Sequence, residues 1–173
     1  EETRKYLAPG LFGPCGYGLP SVVGAKIGRP DVPVVGFSGD GAFGIAVNEL
    51  TAIGREEWPA VTQIVFRNYQ WGAEKRNSTL WYDDNFVGTE LDTQVSYAGI
   101  AKACGLQGVI AKTMDELTEA LHTAIKDQME NGKTTLIEAM INQELGEPFR
   151  RDAMKKPVAV AGVSASDMRE QVA

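Results

Sequence analysis

Four short apolar segments, at residues 32–37, 61–66, 107–111 and 134–140, constrain the fold of this chain more than any other feature. Their hydrophobic residues run almost without interruption instead of alternating with polar ones. A strand is that apolar when both of its faces are covered, which is the situation of parallel strands flanked by helices. Helical patterns fill the gaps between them. In residues 113–130, Met114, Leu117, Leu121, Ile125 and Met129 form one apolar stripe; Thr113 with Glu116 makes a capping box, and Asn131-Gly132 stops the helix. Residues 44–57 (Ile45, Val47, Leu50, Ile53) and 93–104 (Val95, Ala98, Ile100, Ala101) predict two more helices, and residues 18–28, rich in Gly, Ala and Val, a first one. This alternation predicts an α/β fold, a three-layer open parallel sheet with helices on both faces and right-handed crossovers.

A chain of 173 residues is long enough for one sizeable core. With 17 Lys+Arg against 23 Asp+Glu and a formal charge of -6, it lacks the basic balance of a nucleic-acid binder. Cys15 and Cys104 lie far apart and His122 is the single histidine, so no Cys/His cluster can form a soft-ligand metal site. His122 falls on the polar side of its helix, where a solvated side chain is expected. An oxygen-ligand metal site stays open. No apolar run is long enough to span a membrane and the N-terminus has no secretory pattern, so a cytoplasmic protein is expected. The absence of an initial Met, with Gly-rich sequence following at once, suggests a piece of a longer protein. Two stretches break the alternation. Residues 70–92 hold Trp71, Trp81, Tyr82 and Phe86 among polar residues and are expected to form a long irregular segment, either functional or an aromatic-anchored surface loop. Residues 146–173 read as a basic segment and tail, which leaves 1–145 as the domain.

Ser38-Gly39-Asp40-Gly41-Ala42-Phe43 stands at the end of a predicted strand and the start of a helix, where open α/β sheets bind ligands. Glycines there let the backbone approach a phosphate, the helix N-terminus offers unpaired N–H groups, and Asp40 can hold a cation. A plain strand-to-helix turn capped by Asp40 would have the same sequence. Twenty-five residues separate Gly41 from Arg67-Asn68 at the end of the next strand. Parallel neighbours place those ends side by side, so Asn68 can reach the same cation.

This pairing resembles the thiamine-diphosphate motif of the acetolactate synthase and pyruvate decarboxylase superfamily. The resemblance implies that Asp40, Asn68 and the main-chain carbonyl of Gln70 hold Mg2+. It implies further that Gly39, Gly41, Ala42, Trp71, Gly72 and Ala73 line the cofactor. Arg67 departs from the pattern, which has Asn there; the second Asn is the ligand, so the metal site is expected to survive. Gly13-Pro14-Cys15-Gly16-Tyr17-Gly18-Leu19-Pro20 resembles the segment that lies under the aminopyrimidine in this superfamily. By that resemblance the Gly13 carbonyl and the Cys15 N–H serve the ring, Gly16 belongs to the same turn, and the Cys15 side chain takes the wedge position usually held by Met, Leu or Ile.

Residues 68–77, Phe86-Val87 with Glu90-Leu91-Asp92, residues 131–135 and residues 144–153 resemble the sulfoacetaldehyde acetyltransferase family within that superfamily. The implied reaction converts sulfoacetaldehyde and inorganic phosphate to acetyl phosphate and sulfite, with the cofactor carrying the chemistry and the protein supplying position and charge. Two anionic substrates require local cations, for which Lys75, Arg76, Arg150 and Arg151 are the candidates; solvated charge or a subunit contact would explain them equally. In this superfamily the glutamate that activates the cofactor comes from an N-terminal pyrimidine-binding domain, usually of a neighbouring subunit. The isolated chain is therefore expected to be inactive and the parent a homodimer or homotetramer. Residues 18–28 and 70–92 are the expected contact faces. An acetolactate-synthase-like carboligase is the alternative enzyme, and an inert Mg-diphosphate-binding module is the alternative for the chain alone.

Overall fold

A computed structural model describes residues 5–145. Four strands, β1 (Val35–Gly39), β2 (Thr62–Arg67), β3 (Gln107–Ala111) and β4 (Thr135–Met140), form one sheet in the order β1-β2-β4-β3, and every pairing is parallel. Six helices accompany them: α1 (Gly18–Gly28), α2 (Asp40–Ile45), α3 (Glu49–Ile53), α4 (Gly72–Trp81), α5 (Tyr97–Ala103) and α6 (Met114–Glu130). Leu19, Val22 and Val23 of α1 pack with Phe43, Leu50, Ile53, Tyr97 and Ala101 on one face of the sheet, against Val61, Val65 and Leu136. On the other face Ala124, Leu117 and Leu121 of α6 cover Ile64, Ile137, Ala139 and Ala111. The chain thus has the three-layer α/β architecture that its apolar runs predict.

The strands fall close to the predicted segments, and the largest shift has a local cause. β1 begins at Val35 instead of residue 32 because Pro33 has no N–H to offer a ladder. The Val34 backbone is satisfied largely by a side chain: its N–H donates to Gln128 Oε1 at 2.7 Å, and its carbonyl accepts from Gln128 Nε2 at 2.9 Å. The same amide donates to Thr62 Oγ1 at 2.9 Å, so one buried glutamine of α6 ties the start of β1 to β2. At α6, Thr113 Oγ1 accepts from the Glu116 N–H as predicted, but the Glu116 carboxylate accepts from the Lys112 N–H and not from that of Thr113.

Three sequence expectations need correction. The helix expected at 44–57 is two short helices, because between α2 and α3 the hydrogen bonds tighten to i→i+3 at Ala46, Glu49, Leu50 and Thr51. Gly41, Gly44, Val47 and Asn48 are weak helix formers, although Phe43, Ala46, Leu50 and Ile53 are all buried. The helix expected at 93–104 starts only at Tyr97, capped by Ser96, whose hydroxyl accepts from the Gly99 N–H. The segment 70–92 is not irregular throughout: it contains α4, then returns through bonds from the Leu91 N–H to the Tyr69 carbonyl and from the Trp71 N–H to the Thr89 carbonyl. Helices are legible from sequence by their apolar stripe, and α4 buries none of its residues.

Close packing of α5 on β3 depends on Gly108, where an added Cβ would stand 2.1 Å from the Ala98 carbonyl oxygen. Backbone cannot yield locally there, so Gly108→Ala is expected to destabilise the chain by about 2–3 kcal/mol. Urea unfolding should show a lower midpoint at unchanged slope.

Candidate functional site

The sheet register brings the functional residues together. Gly39 at the end of β1 pairs with Phe66 of β2, so Asp40 and the Arg67-Asn68-Tyr69-Gln70 turn leave adjacent strands at the same edge. Asp40 opens α2 and is 1% exposed. Its Oδ2 accepts three hydrogen bonds: from the Tyr69 N–H at 2.7 Å, the Asn68 N–H at 3.1 Å and Arg67 Nη1 at 3.1 Å. Its Oδ1 accepts from the Gly41 N–H at 2.9 Å. Tyr69 adopts a left-handed φ of 60°, which folds the turn back so that both amides reach one oxygen. Asn68 Oδ1 accepts from the Gln70 N–H at 3.3 Å, so carboxylate, amide oxygen and turn form one unit.

Trp71 packs against this unit. A Cβ on Gly41 would lie 2.8 Å from the Trp71 ring, so glycine is required there by side-chain contact as well as by any ligand. Arg67, the departure from the motif, is the most heavily engaged residue. Its Nη2 donates to the Asp92 carbonyl at 2.7 Å and the Val95 carbonyl at 3.0 Å, and its Nε lies 3.4 Å from Glu138 Oε1. The rings of Tyr69 and Tyr97 lie 4.2 and 4.9 Å from the guanidinium carbon. Glu138, buried on β4, also accepts from the Ser96 hydroxyl at 2.9 Å and the Ala98 N–H at 3.1 Å. Tyr97 donates to the Asp40 carbonyl at 3.1 Å and meets Phe43 edge to face. Burial pushes the Tyr97 hydroxyl above its usual pKa, against the opposing pull of Arg67.

Asn68, Gln70, Gly72, Ala73, Arg76, Glu144 and Leu145 line a cavity of about 280 Å³. Gln70 is 2% exposed; its Nε2 donates to the Gln143 carbonyl while its buried Oε1 has no partner, and Arg76 Nε is likewise buried and unpartnered. Lys75 behaves differently: it forms an ion pair with Glu90 and lies over the Phe86 ring. Gly13 and Gly16 hold left-handed φ values of 59° and 87°, and a Cβ on Gly16 would lie 2.9 Å from Ile45 Cγ2, which places this turn beside α2. Cys15 is exposed, as is His122. Arg150 and Arg151 lie outside the described residues. A larger cavity of about 330 Å³ at Trp58, Gln107 and Thr134 opens at the other ends of the strands and contains none of the predicted site residues. Sequence reasoning missed Tyr69, Tyr97 and Glu138; a charged residue inside the apolar run 134–140 was the available signal for the last, since a buried charge demands a partner.

Residues 1–139 match the family model of the thiamine pyrophosphate enzyme C-terminal TPP binding domain. The chain belongs to this family. Among relatives of this thiamine pyrophosphate domain, sulfoacetaldehyde acetyltransferase of Roseovarius nubinhibens is 86% identical over 171 residues, covering 99% of this chain and 28% of that protein. Sulfoacetaldehyde acetyltransferase of Rhodobacter capsulatus is 79% identical over 168 residues, covering 97% and 28%. The chain thus spans little more than a quarter of the length of these relatives. In three dimensions it is similar to the thiamine diphosphate-dependent 4-hydroxybenzoylformate decarboxylase of Rhodococcus jostii RHA1, with a TM-score of 0.67 and 27% identity over 78% of this chain and 24% of that one. Among the described residues no helix is long and apolar enough to cross a membrane, and no three His, Cys, Asp or Glu side chains cluster to hold a metal.

Removing one partner of a buried ion pair leaves the other charge uncompensated. Glu138→Ala is therefore expected to lower stability by about 3–5 kcal/mol, the range for breaking a buried pair. Chemical denaturation would check this, and loss of amide protection at Ala98 would show that the start of α5 is released with it.

Proposed function

We propose that this chain is the diphosphate- and metal-holding part of a longer thiamine-diphosphate-dependent acyltransferase that converts sulfoacetaldehyde and inorganic phosphate to acetyl phosphate and sulfite. The observation that carries this reading is the 86% identity, spread over 171 residues, to a relative bearing that name. In it, residues 1–145 form the cofactor domain, 146–173 the basic segment, and upstream domains complete a cytoplasmic homodimer or homotetramer and supply the activating glutamate.

The donor chemistry at the strand ends fits a hard divalent ion. One carboxylate, one amide oxygen and one main-chain carbonyl are oxygen donors of the kind Mg2+ takes, and a site of that composition needs no cluster of acidic side chains. Asp40, Asn68 and the Gln70 carbonyl would hold the ion, with Oδ1 of Asp40 facing it because Oδ2 already accepts from three donors. Bound Mg2+ would offset the negative charge of the cofactor's diphosphate. The chain's own part would be positional: Gly39, Gly41 and Ala42 would let the phosphates approach the backbone at the start of α2, with the Gly41 N–H holding Asp40 Oδ1, and Trp71, Gly72 and Ala73 would close the far side. Gly16 stands beside α2, and the turn of Gly13, Cys15 and Gly16 would receive the ring. For the substrate anions, Arg76 is favoured over Lys75, because Arg76 Nε is buried without a partner at the cavity whereas Lys75 is already paired with Glu90. Arg150 and Arg151 remain candidates for the same task.

The reading is tested in the full-length enzyme that carries this domain, by sulfite release from sulfoacetaldehyde and phosphate against CO2 release from pyruvate. Sulfite without CO2 is expected; the reverse would replace it with a carboligase. Arg76→Ala should raise the apparent KM for phosphate or sulfoacetaldehyde about tenfold or more, as loss of a charge-assisted hydrogen bond does. Unchanged KM values would remove Arg76 from the site, and the pair Arg150→Ala and Arg151→Ala is judged by the same measurement.

A further inference from the structure

The proposed reaction gives no task to a buried cation at the end of β2, yet Arg67 is 1% exposed there. Burying a guanidinium is unfavourable unless it is paired, and here Nη1 and Nη2 donate to Asp40 and to the carbonyls of Asp92 and Val95, while Nε makes no hydrogen bond but lies 3.4 Å from Glu138, with two tyrosine rings against the group. A group so held cannot swing aside when a second cation arrives.

We propose that Arg67 is a resident counter-charge, a positioning residue that makes the Asp40 subsite accept a divalent cation together with a diphosphate and not as the free ion. This rests on the reading of Asp40 as a metal ligand. With Oδ2 committed to three donors, Asp40 offers a newcomer Oδ1 alone, and the other two donors of the subsite, the Asn68 amide and the Gln70 carbonyl, are neutral. The one carboxylate of the subsite lies 3.1 Å from the guanidinium, whose charge it shares with Glu138. Glu138 sits at a different edge of Arg67 and is itself held by Ser96 and Ala98. Free Mg2+ gives up hydration reluctantly, and here it would do so for one carboxylate oxygen next to a fixed positive charge. A diphosphate brings the negative charge that the subsite lacks. Cation and cofactor then bind as one unit.

The test is calorimetric titration of the full-length enzyme with Mg2+ alone and with Mg2+ in the presence of thiamine diphosphate. Wild type is compared with Arg67→Lys and with the double variant Arg67→Gln, Glu138→Gln, which removes one charge of each sign and leaves the net charge unchanged. Circular dichroism checks folding, and Arg67→Met with Glu138→Leu, an apolar replacement of the pair, serves if the first double variant does not fold. Wild type and Arg67→Lys are expected to bind Mg2+ at least about tenfold more tightly with the cofactor than without it. The folded double variant is expected to bind free Mg2+ about two- to threefold more tightly than wild type: Coulomb's law in a water-like dielectric gives about tenfold for a unit charge one side chain from a divalent ion, and loss of the more distant Glu138 charge takes back part of that gain. A purely structural Arg67 would give the opposite, weaker Mg2+ binding in every variant that loosens the turn. If the folded double variant gains nothing, the counter-charge is overturned while cofactor-dependent Mg2+ binding by wild type keeps the metal site. If wild type binds neither Mg2+ nor cofactor, the metal site falls and the counter-charge falls with it.

Discussion

One buried cation between two buried carboxylates holds the functional end of this domain together. Arg67 joins Asp40 at the start of α2 to Glu138 of β4, and through the carbonyls of Asp92 and Val95 it anchors the approach to α5. Isolated ion pairs of this kind often add little net stability, because desolvation offsets the attraction. Their effect is on geometry: each member has few alternative positions once the others are fixed, so β1, β2, β4 and two helix starts share one arrangement. The apolar cores on either face of the sheet would tolerate small displacements of the strands. The charge network would not.

How much of this was legible in the sequence follows from what each element is made of. The strands were readable because a doubly covered strand has no polar face, and α6 because its Thr113 cap and the Leu117 and Leu121 contacts occur in sequence order, although Met114 and Met129 of the expected stripe are exposed and Ala124 and Gln128 are the buried positions. The Asp40 and Asn68 pairing was readable because parallel neighbours end together. What was hidden depends on contacts between distant residues. α4 has no buried stripe to announce it. The need for Gly41 beneath Trp71 arises only once the turn after β2 folds back over α2. Arg67 appeared in the sequence as a departure from a motif, and its partners Glu138 and Tyr97 stand 71 and 30 residues further on. No local pattern links them.

The two arginines and the lysine near the site show that formal charge is a poor guide to availability. Arg67 is committed to Asp40, Glu138 and two carbonyls, Lys75 is paired with Glu90, and Arg76 keeps a buried Nε without a partner at the cavity. In a chain with a net charge of -6, such local arrangements decide where an anion can be met, and the overall balance does not.

The left-handed Tyr69 has a consequence in time as well as in space. A non-glycine residue in that region is held at a cost of about 1–2 kcal/mol, here offset by a 2.7 Å bond from its amide to Asp40 and by its ring against Arg67. Relaxing the backbone would require both contacts to break together, so the turn has no cheap partial opening. Its amide proton should exchange with solvent on the slow clock of the sheet and not on the fast clock of a surface loop. The ligand-facing turn then behaves as an extension of the strand behind it.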